Sequence, residues 1–281
     1  MKLHIYCMEC AQNRLFQGQS SRDIVKLYRE NFDAFKESCQ RMTKLFQDFF
    51  VSDVCDVDIR DDGIYEVSCP EGHKTYTLLQ QLLFEVLFDI GAYAITDGYY
   101  REAISSFTAS LERFYEFYIE VISLKHGVDD ESYGTSWRHV SKQSERQLGA
   151  YIFLYTLENK ASPKLLSNRD IEFRNNVIHK GQIPSRGETL EYGNTILNLI
   201  NPVLYALKKY NSEFVQHVVE KHFIAMINKL PEEYEQHPFC TTTIISIANT
   251  PHKEEFRTLE EEIESIELRK KQYQSMKAQK R

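Results

Sequence analysis

From residue 77 onward, apolar side chains recur every three or four positions. The clearest stripe runs through Tyr100, Ala103, Ile104, Phe107, Leu111, Phe114, Tyr118 and Ile122 and predicts a core-facing helix over 99–126, ended by Gly127. An earlier helix is predicted over 78–95, with Asp97-Gly98 as the turn after it. A third is expected over 137–157, with Leu148, Ile152 and Tyr155 inward and Ala161-Ser162-Pro163 as its break. A short helix is expected over 168–180, with Asn168 as N-cap, Asp170 and Glu172 in its first turn and Gly181 as its C-terminal cap. A fourth long helix, 188–210, carries Leu190, Ile196, Ile200, Leu204 and Leu207, and Pro202 is expected to kink or split it; a fifth follows over 213–230.

Before residue 77 the rhythm differs. The runs 2–6 and 63–68 read as strands, and between them Ile24, Leu27, Tyr28, Phe32 and Phe35 have helical spacing. Phe46, Phe49 and Phe50 either continue that helix or pack as a cap. Asp53, Asp56, Asp58, Asp61 and Asp62 lack the ordered spacing of a calcium loop and read as a solvated stretch. After residue 230 comes a turn-like piece, 234–238, and then a β-prone run, 239–247, which needs a strand to pair with; the N-terminal β module is one candidate. Phe256, Leu259, Ile263 and Ile266 then mark a charged helix, read either as a short coiled coil or as a helix docked on the body. The chain therefore divides into a small module at 1–76, a helical bundle at 77–230 and a tail at 231–281, and its fold class is mainly α with a small β-rich module.

Composition adds limits. The chain has 281 residues with a formal net charge of -7, so a broadly basic nucleic-acid coat is excluded and any basic groove has to be local. Seventeen Phe and seventeen Tyr against eleven Gly and seven Pro exclude a fibrous or disordered chain. The start has no secretory pattern, and Gln80, Gln81, Glu85 and Asp89 interrupt the most apolar stretch. A cytoplasmic protein without a membrane span is expected, and its cysteines read as thiols or metal ligands before disulfides.

Cys7-Met8-Glu9-Cys10 has zinc-knuckle spacing, and Cys69-Pro70-Glu71-Gly72-His73 sets a cysteine and a histidine around a tight turn after a strand. Two such turns offer Cys7, Cys10, Cys69 and His73 to one structural Zn²⁺. The arrangement looks like a zinc ribbon whose halves are separated by an insertion. The competing reading is a set of core cysteines, which is the one expected for Cys39, Cys55 and Cys240. With four protein ligands no coordination position stays open for chemistry.

The second constellation is Arg174-Asn175-Asn176-Val177-Ile178-His179-Lys180-Gly181. Arg174 and His179 are five residues apart, about 140° around an ideal helix, and converge only if the last turn tightens or unwinds. A cation and an imidazole at a helix C-terminus also complement its dipole, a purely structural reason for both. The run Arg174 to His179 resembles the Arg-polar-x-x-x-His motif of the HEPN superfamily, helical bundles that include many ribonucleases of antiviral and toxin systems. The segment from Gly98 to Phe114 likewise resembles the long HEPN helix that starts after a turn. The resemblance covers about 85–210, and the zinc-ribbon-like module is an addition to the minimal family pattern.

The resemblance implies a HEPN-like bundle and a metal-independent endoribonuclease. His179 would do acid/base work, Arg174 would bind phosphate and stabilise charge, and Asn175 would orient the histidine or the phosphate. One motif supplies one imidazole; a homodimer would supply two and form a composite site. Products would be 2′,3′-cyclic phosphate and 5′-hydroxyl ends. Lys180, Glu112, Arg113, Arg138 and Lys142 are candidates for RNA or supporting contacts, with solvated surface charge as the competitor. RNA, a second copy and a regulatory protein or antitoxin are the implied partners. The alternatives are a non-catalytic HEPN-like dimer that binds a nucleotide, RNA or protein as an adaptor, and another phosphate chemistry at the same helix end.

Overall fold

The computed structural model describes residues 2–7, 9, 54–230, 236–239, 243–248 and 256–278. The helical expectation around Ile24 to Phe50 lies outside them. The chain forms two compact units, each assembled from separate stretches. Unit 1 takes 1–81, 221–242 and 271–281; unit 2 takes 82–220 and 243–270. The tail 231–281 thus contributes to both.

Unit 1 holds the strands. β1 (Lys2–Tyr6) pairs antiparallel with β2 (Val54–Asp58). A three-stranded sheet joins β3 (Ile64–Ser68), β4 (Lys74–Leu79) and β5 (Gln236–Phe239) in that order. β3 and β4 are an antiparallel hairpin, and strict alternation along β3 buries Tyr65 and Val67 while Glu66 and Ser68 face solvent. β5 lies parallel to β4, with Leu78 opposite Pro238. As the last strand of the sheet it can carry a proline, which has no N–H to donate to a further neighbour. Leu78 packs with Phe223 and Met226 in the apolar core of this unit.

Two sequence expectations are corrected here. Leu78 and Leu79 end a strand, and the helix expected from residue 78 starts at Leu83. The β-prone tail does pair with the N-terminal β module, but through Gln236–Phe239, most of which was expected as a turn; of the run expected as strand, 239–247, only Phe239 belongs to it, and the other described residues, 243–247, have no strand structure.

Unit 2 is helical. α1 (Leu83–Thr96), α2 (Tyr100–Lys125), α3 (Asp130–Val140), α4 (Ser144–Asn159), α5 (Asn168–Lys180) and α6 (Arg186–Tyr210) follow one another. α7 (Ser212–Ile227) and α8 (Leu259–Ala278) begin in this unit and end in the other. Of the stripe anticipated on α2, every member but the partly covered Tyr100 is buried. The third helix expected over 137–157 is two helices, α3 and α4. Asp129 caps α3 by accepting from the Ser132 N–H at 2.8 Å, and the pair is separated by 141–143. The buried side of α4 is Gln147 and Tyr151, not the predicted Leu148, Ile152 and Tyr155, which are only partly covered. Pro202 sits inside α6 without splitting it.

Phe107 is the wedge of this core. It is fully buried, 4.7 Å from the Phe88 ring, and lies against backbone where two helices present glycine. A Cβ at Gly91 of α1 would stand 2.5 Å from the Phe107 ring; one at Gly193 of α6 would stand 2.9 Å from it and 2.3 Å from Leu259 of α8. Next to that contact, Asn194 accepts from the Leu259 N–H at 2.8 Å and donates to Glu260 at 2.7 Å, so it caps α8. At the far end of the docked stretch, Lys270 donates to Asp97 at 2.7 Å and lies 5.1 Å from the Tyr93 ring centroid. Leu259, Ile263 and Ile266 are buried between these two pins, so this part of α8 is a docked helix.

A second clasp involves charge. Glu85 and Asp89, one turn apart on α1, are buried. Glu85 accepts from the Leu82 N–H at 2.8 Å and the Ile247 N–H at 2.9 Å; Asp89 accepts from the Ile244 N–H at 2.9 Å. Together they hold the backbone of 243–248, and Ile245, between the held residues, is wholly buried. Lys208 donates to the Ser246 carbonyl at 3.1 Å. Burial pushes the Glu85 carboxyl up to about 7, against the pull of its two N–H donors and Lys208. Burial does the same to Asp89, raised to about 7 against Ile244 and Arg269.

Two predictions follow from these contacts. Gly193→Ala forces Phe107 and Leu259 apart and should destabilise the fold by about 1–3 kcal/mol, read by chemical denaturation. An unchanged midpoint would show that the packing yields without cost. The second concerns pH. Both acids have folded values above their unfolded ones, so their ionisation opposes folding. Their contribution is intact below about pH 4 and is lost as pH rises to about 7. Stability of Glu85→Gln and Asp89→Asn should therefore fall less than wild type across that window; parallel curves would refute the assignment.

Candidate metal site and a polar helix end

The β3–β4 hairpin builds the first site. Its five-residue link, Cys69-Pro70-Glu71-Gly72-His73, is closed by the Cys69 N–H donating to the His73 carbonyl at 3.1 Å and the Gly72 N–H donating to the Cys69 carbonyl at 2.9 Å. Gly72 supplies the left-handed backbone the turn needs, with φ of 87°. Cys69 and His73 are thereby brought to the same side, and β1 delivers Cys7 to them. Cys7 and Cys69 are buried and His73 is half-buried. His73 Nδ1 lies 3.8 Å from Cys7 Sγ and 3.5 Å from Cys69 Sγ. Its other ring nitrogen, Nε2, faces a Glu9 carboxylate oxygen at 3.6 Å. This group could hold a metal ion: two thiol sulfurs and one imidazole nitrogen converge within 4.8 Å. The fourth expected ligand, Cys10, lies outside the described residues, as do Cys39 and Cys240 and the side chain of Cys55. Glu9 was not singled out in the sequence, although it sits inside the first knuckle.

The second site is the end of α5. Its N-cap is Ser167, one residue before the expected Asn168, in a reciprocal box with Asp170: the Asp170 N–H donates to Ser167 Oγ at 3.2 Å and the Ser167 N–H donates back to the Asp170 carboxylate at 3.2 Å. Gly181 ends the helix as expected, with φ of 76°, and the Gln182 N–H donates to the Asn176 carbonyl at 3.1 Å. Arg101, on the first turn of α2, donates from its guanidinium to the carbonyls of Val177 and Ile178, each at 3.3 Å. The two carbonyls just ahead of His179 are therefore tied to α2 by a cation, which also suits the negative end of the dipole. Val177 is fully buried, and the Phe173 ring stands 5.9 Å from that of Tyr192.

The motif residues divide around this helix. Arg174 and Asn175 are half-buried, whereas His179 and Lys180 are exposed. α5 remains regular through Lys180, so the last turn neither tightens nor unwinds, and among the described residues no hydrogen bond or ion pair joins Arg174 to His179. The Nε of Arg174 is buried with no hydrogen-bond partner. Its charge is felt by two neighbours. Burial raises the Glu112 carboxyl above its ordinary range, and Arg113 and Arg174 pull it back. The Tyr192 hydroxyl lies 2.9 Å from Thr108 Oγ1; burial pushes it up to about 12, and Thr108 and Arg174 pull it back.

The supporting candidates are scattered. Glu112 is electrostatically coupled to Arg174, while Arg113 pairs with Glu116 at 2.7 Å. Arg138 donates to Thr135 at 3.1 Å, and Lys142 is exposed. Arg101 and Tyr192 are the two neighbours that sequence reading missed. Neither has a local signature, because each comes to α5 from a remote helix.

No family model, no curated protein and no solved structure matches this chain. Among the described residues no helix is long and apolar enough to cross a membrane.

Proposed function

We propose that the chain is a HEPN-type, metal-independent RNA endonuclease acting as a homodimer, in antiviral defence or a toxin system. The observation that carries the reading is the pairing, on one helix, of an exposed imidazole with a half-buried guanidinium whose Nε has no partner. The Nε itself is enclosed, so a phosphate oxygen would be met by the terminal N–H groups of the same guanidinium fork. His179, anchored by the Arg101 contacts just ahead of it, can exchange protons with water and substrate. In the reaction, a base takes the proton of the 2′-hydroxyl, the 2′-oxygen attacks phosphorus, and the bond to the 5′-oxygen breaks as that oxygen is protonated. A cyclic phosphate and a 5′-hydroxyl result. His179 residues from two copies would supply the base and the acid, Arg174 would hold the non-bridging oxygens, and Asn175 would orient one or the other.

A second reading has its own support. Because Arg174 and His179 sit on different sides of a regular helix, one copy alone does not assemble them. A chain that stays monomeric would fit a nucleotide-, RNA- or protein-binding adaptor better.

Cleavage decides between them. With Mg²⁺ omitted and EDTA added at the time of assay, wild type should cut RNA to 2′,3′-cyclic phosphate ends. His179→Ala and Arg174→Ala should each lower the rate by at least about a hundredfold while keeping the fold. Cleavage undiminished in both variants sinks the site assignment, and no cleavage of any cellular or phage RNA favours the adaptor.

We assign the metal group to structural Zn²⁺, with Cys10 as fourth ligand. Tetrahedral zinc with Zn–S of about 2.3 Å and Zn–N of about 2.0–2.1 Å has S···N edges of about 3.6 Å. The two separations from His73 Nδ1, 3.8 Å and 3.5 Å, fit that geometry. Zinc would cross-link β1 to the β3–β4 hairpin and hold a unit with a small core. About one zinc per chain is expected by elemental analysis, lost in Cys69→Ser together with thermal stability; no more than a trace in wild type rejects the ligand set.

A further inference from the structure

The two ring nitrogens of His73 keep different company. Nδ1 lies 3.8 Å from Cys7 Sγ and 3.5 Å from Cys69 Sγ, inside the group whose ligand atoms fall within 4.8 Å of one another. Nε2, on the other side of the ring, lies 3.6 Å from a carboxylate oxygen of Glu9. A neutral imidazole divides its work between the two: the unprotonated nitrogen binds a metal and the protonated one donates a hydrogen bond. The sulfurs converge on Nδ1, which makes it the ligand atom. A metal bound there fixes the ring proton on Nε2, where the Glu9 carboxylate stands.

The topology makes this contact a bridge. Glu9 lies two residues past Cys7, just beyond the end of β1, and His73 closes the link between β3 and β4. The carboxylate thus reaches from the first knuckle to a ligand of the second. At 3.6 Å the pair is wider than a hydrogen bond. The Glu9 side chain is 44% exposed and can close the gap by rotating, while His73 is held by its tight turn. The competing account is a plain surface ion pair, which contributes little to stability. It requires an imidazolium, and an imidazolium has a proton on Nδ1 and cannot ligate there. The two accounts therefore make opposite demands on Nδ1.

We propose that Glu9 is a positioning carboxylate of the metal site: it accepts the Nε2–H of His73, fixes the tautomer and orientation of the ring, and tightens Zn²⁺ binding without ligating the ion. A carboxylate on the far nitrogen also makes the near one a stronger donor to the metal. Glu9 faces the nitrogen turned away from the sulfurs, which separates its role from that of a ligand. The inference rests on the zinc assignment above and adds the residue that orients its histidine.

The test is the zinc affinity of the full chain, measured at one fixed pH by competition with a chromophoric chelator. E9A should bind zinc about ten- to a hundredfold more weakly than wild type. E9Q, whose amide oxygen still accepts a hydrogen bond, should lie between them. Circular dichroism of the zinc-loaded variants checks that the fold is kept. Equal affinity in wild type and E9A overturns the inference and leaves the zinc assignment standing. Two spectroscopic readouts separate positioning from ligation. With Co²⁺ in place of zinc, E9A should keep the ligand-field and thiolate charge-transfer bands of wild type; altered bands would make Glu9 itself a ligand and overturn its positioning role. Nitrogen NMR of the His73 ring in zinc-loaded wild type should show the metal on Nδ1 and the proton on Nε2, and the reverse arrangement overturns the inference. A wild type that takes up no zinc removes the zinc assignment and this inference with it.

Discussion

The helical unit is organised around the space that two glycines leave for one phenylalanine. Phe107 enters where α1 and α6 have no side chains, and Leu259 of α8 lies on the same glycine of α6. Close approach of helix backbones gains dispersion contacts that a larger residue would forfeit. It also sets the distance between α2 and its neighbours, and with it the positions of Arg101 and Thr108 on α2. Arg101 reaches the end of α5, and Thr108 holds the Tyr192 hydroxyl beside the Arg174 charge. The polar helix end therefore depends on a packing contact made elsewhere along the same helix.

The clasp on 243–248 obeys a different logic. Two carboxyl groups are buried to accept three backbone N–H groups, two of them from a segment without regular structure. Irregular backbone cannot satisfy its own donors, so it enters a core only if side chains do so for it. Burying carboxyls costs stability near neutral pH, and the apolar return is Ile245, wholly enclosed. The fold accepts an electrostatic cost to close its core with a loop.

Much of the helical unit was legible. The stripe on α2 and the glycine stop of α5 follow from spacing and from backbone freedom, both local properties. The errors arose where tertiary partners decided the outcome. Leu78 and Leu79 fit a helical period as well as a strand, and the pairing with β3 and β5 settles them. The split between α3 and α4 was hidden because partly exposed apolar residues surround α4 and blur its period. In the strand unit, the spacing of Cys69 and His73 across a tight turn was a genuine geometric signal. Glu9 and Arg101 carried none, since their roles exist only across distances that sequence does not record.

The polar end of α5 sets a constraint that local chemistry cannot relieve. Its helix is regular to Lys180 and closed by Gly181, and Arg101 occupies carbonyls in its last turn. Unwinding that turn to bring His179 round to Arg174 would give up the glycine cap and both guanidinium contacts. The same groups that fix His179 in place therefore keep it apart from Arg174. Chemistry that needs both on one phosphate must take one of them from a second surface. That requirement makes a symmetric partner more than an accessory to the reading. Without one, the motif is a well-capped helix end with an exposed histidine; the proposed nuclease needs one, so that His179 of one copy and Arg174 of another could meet the same phosphate.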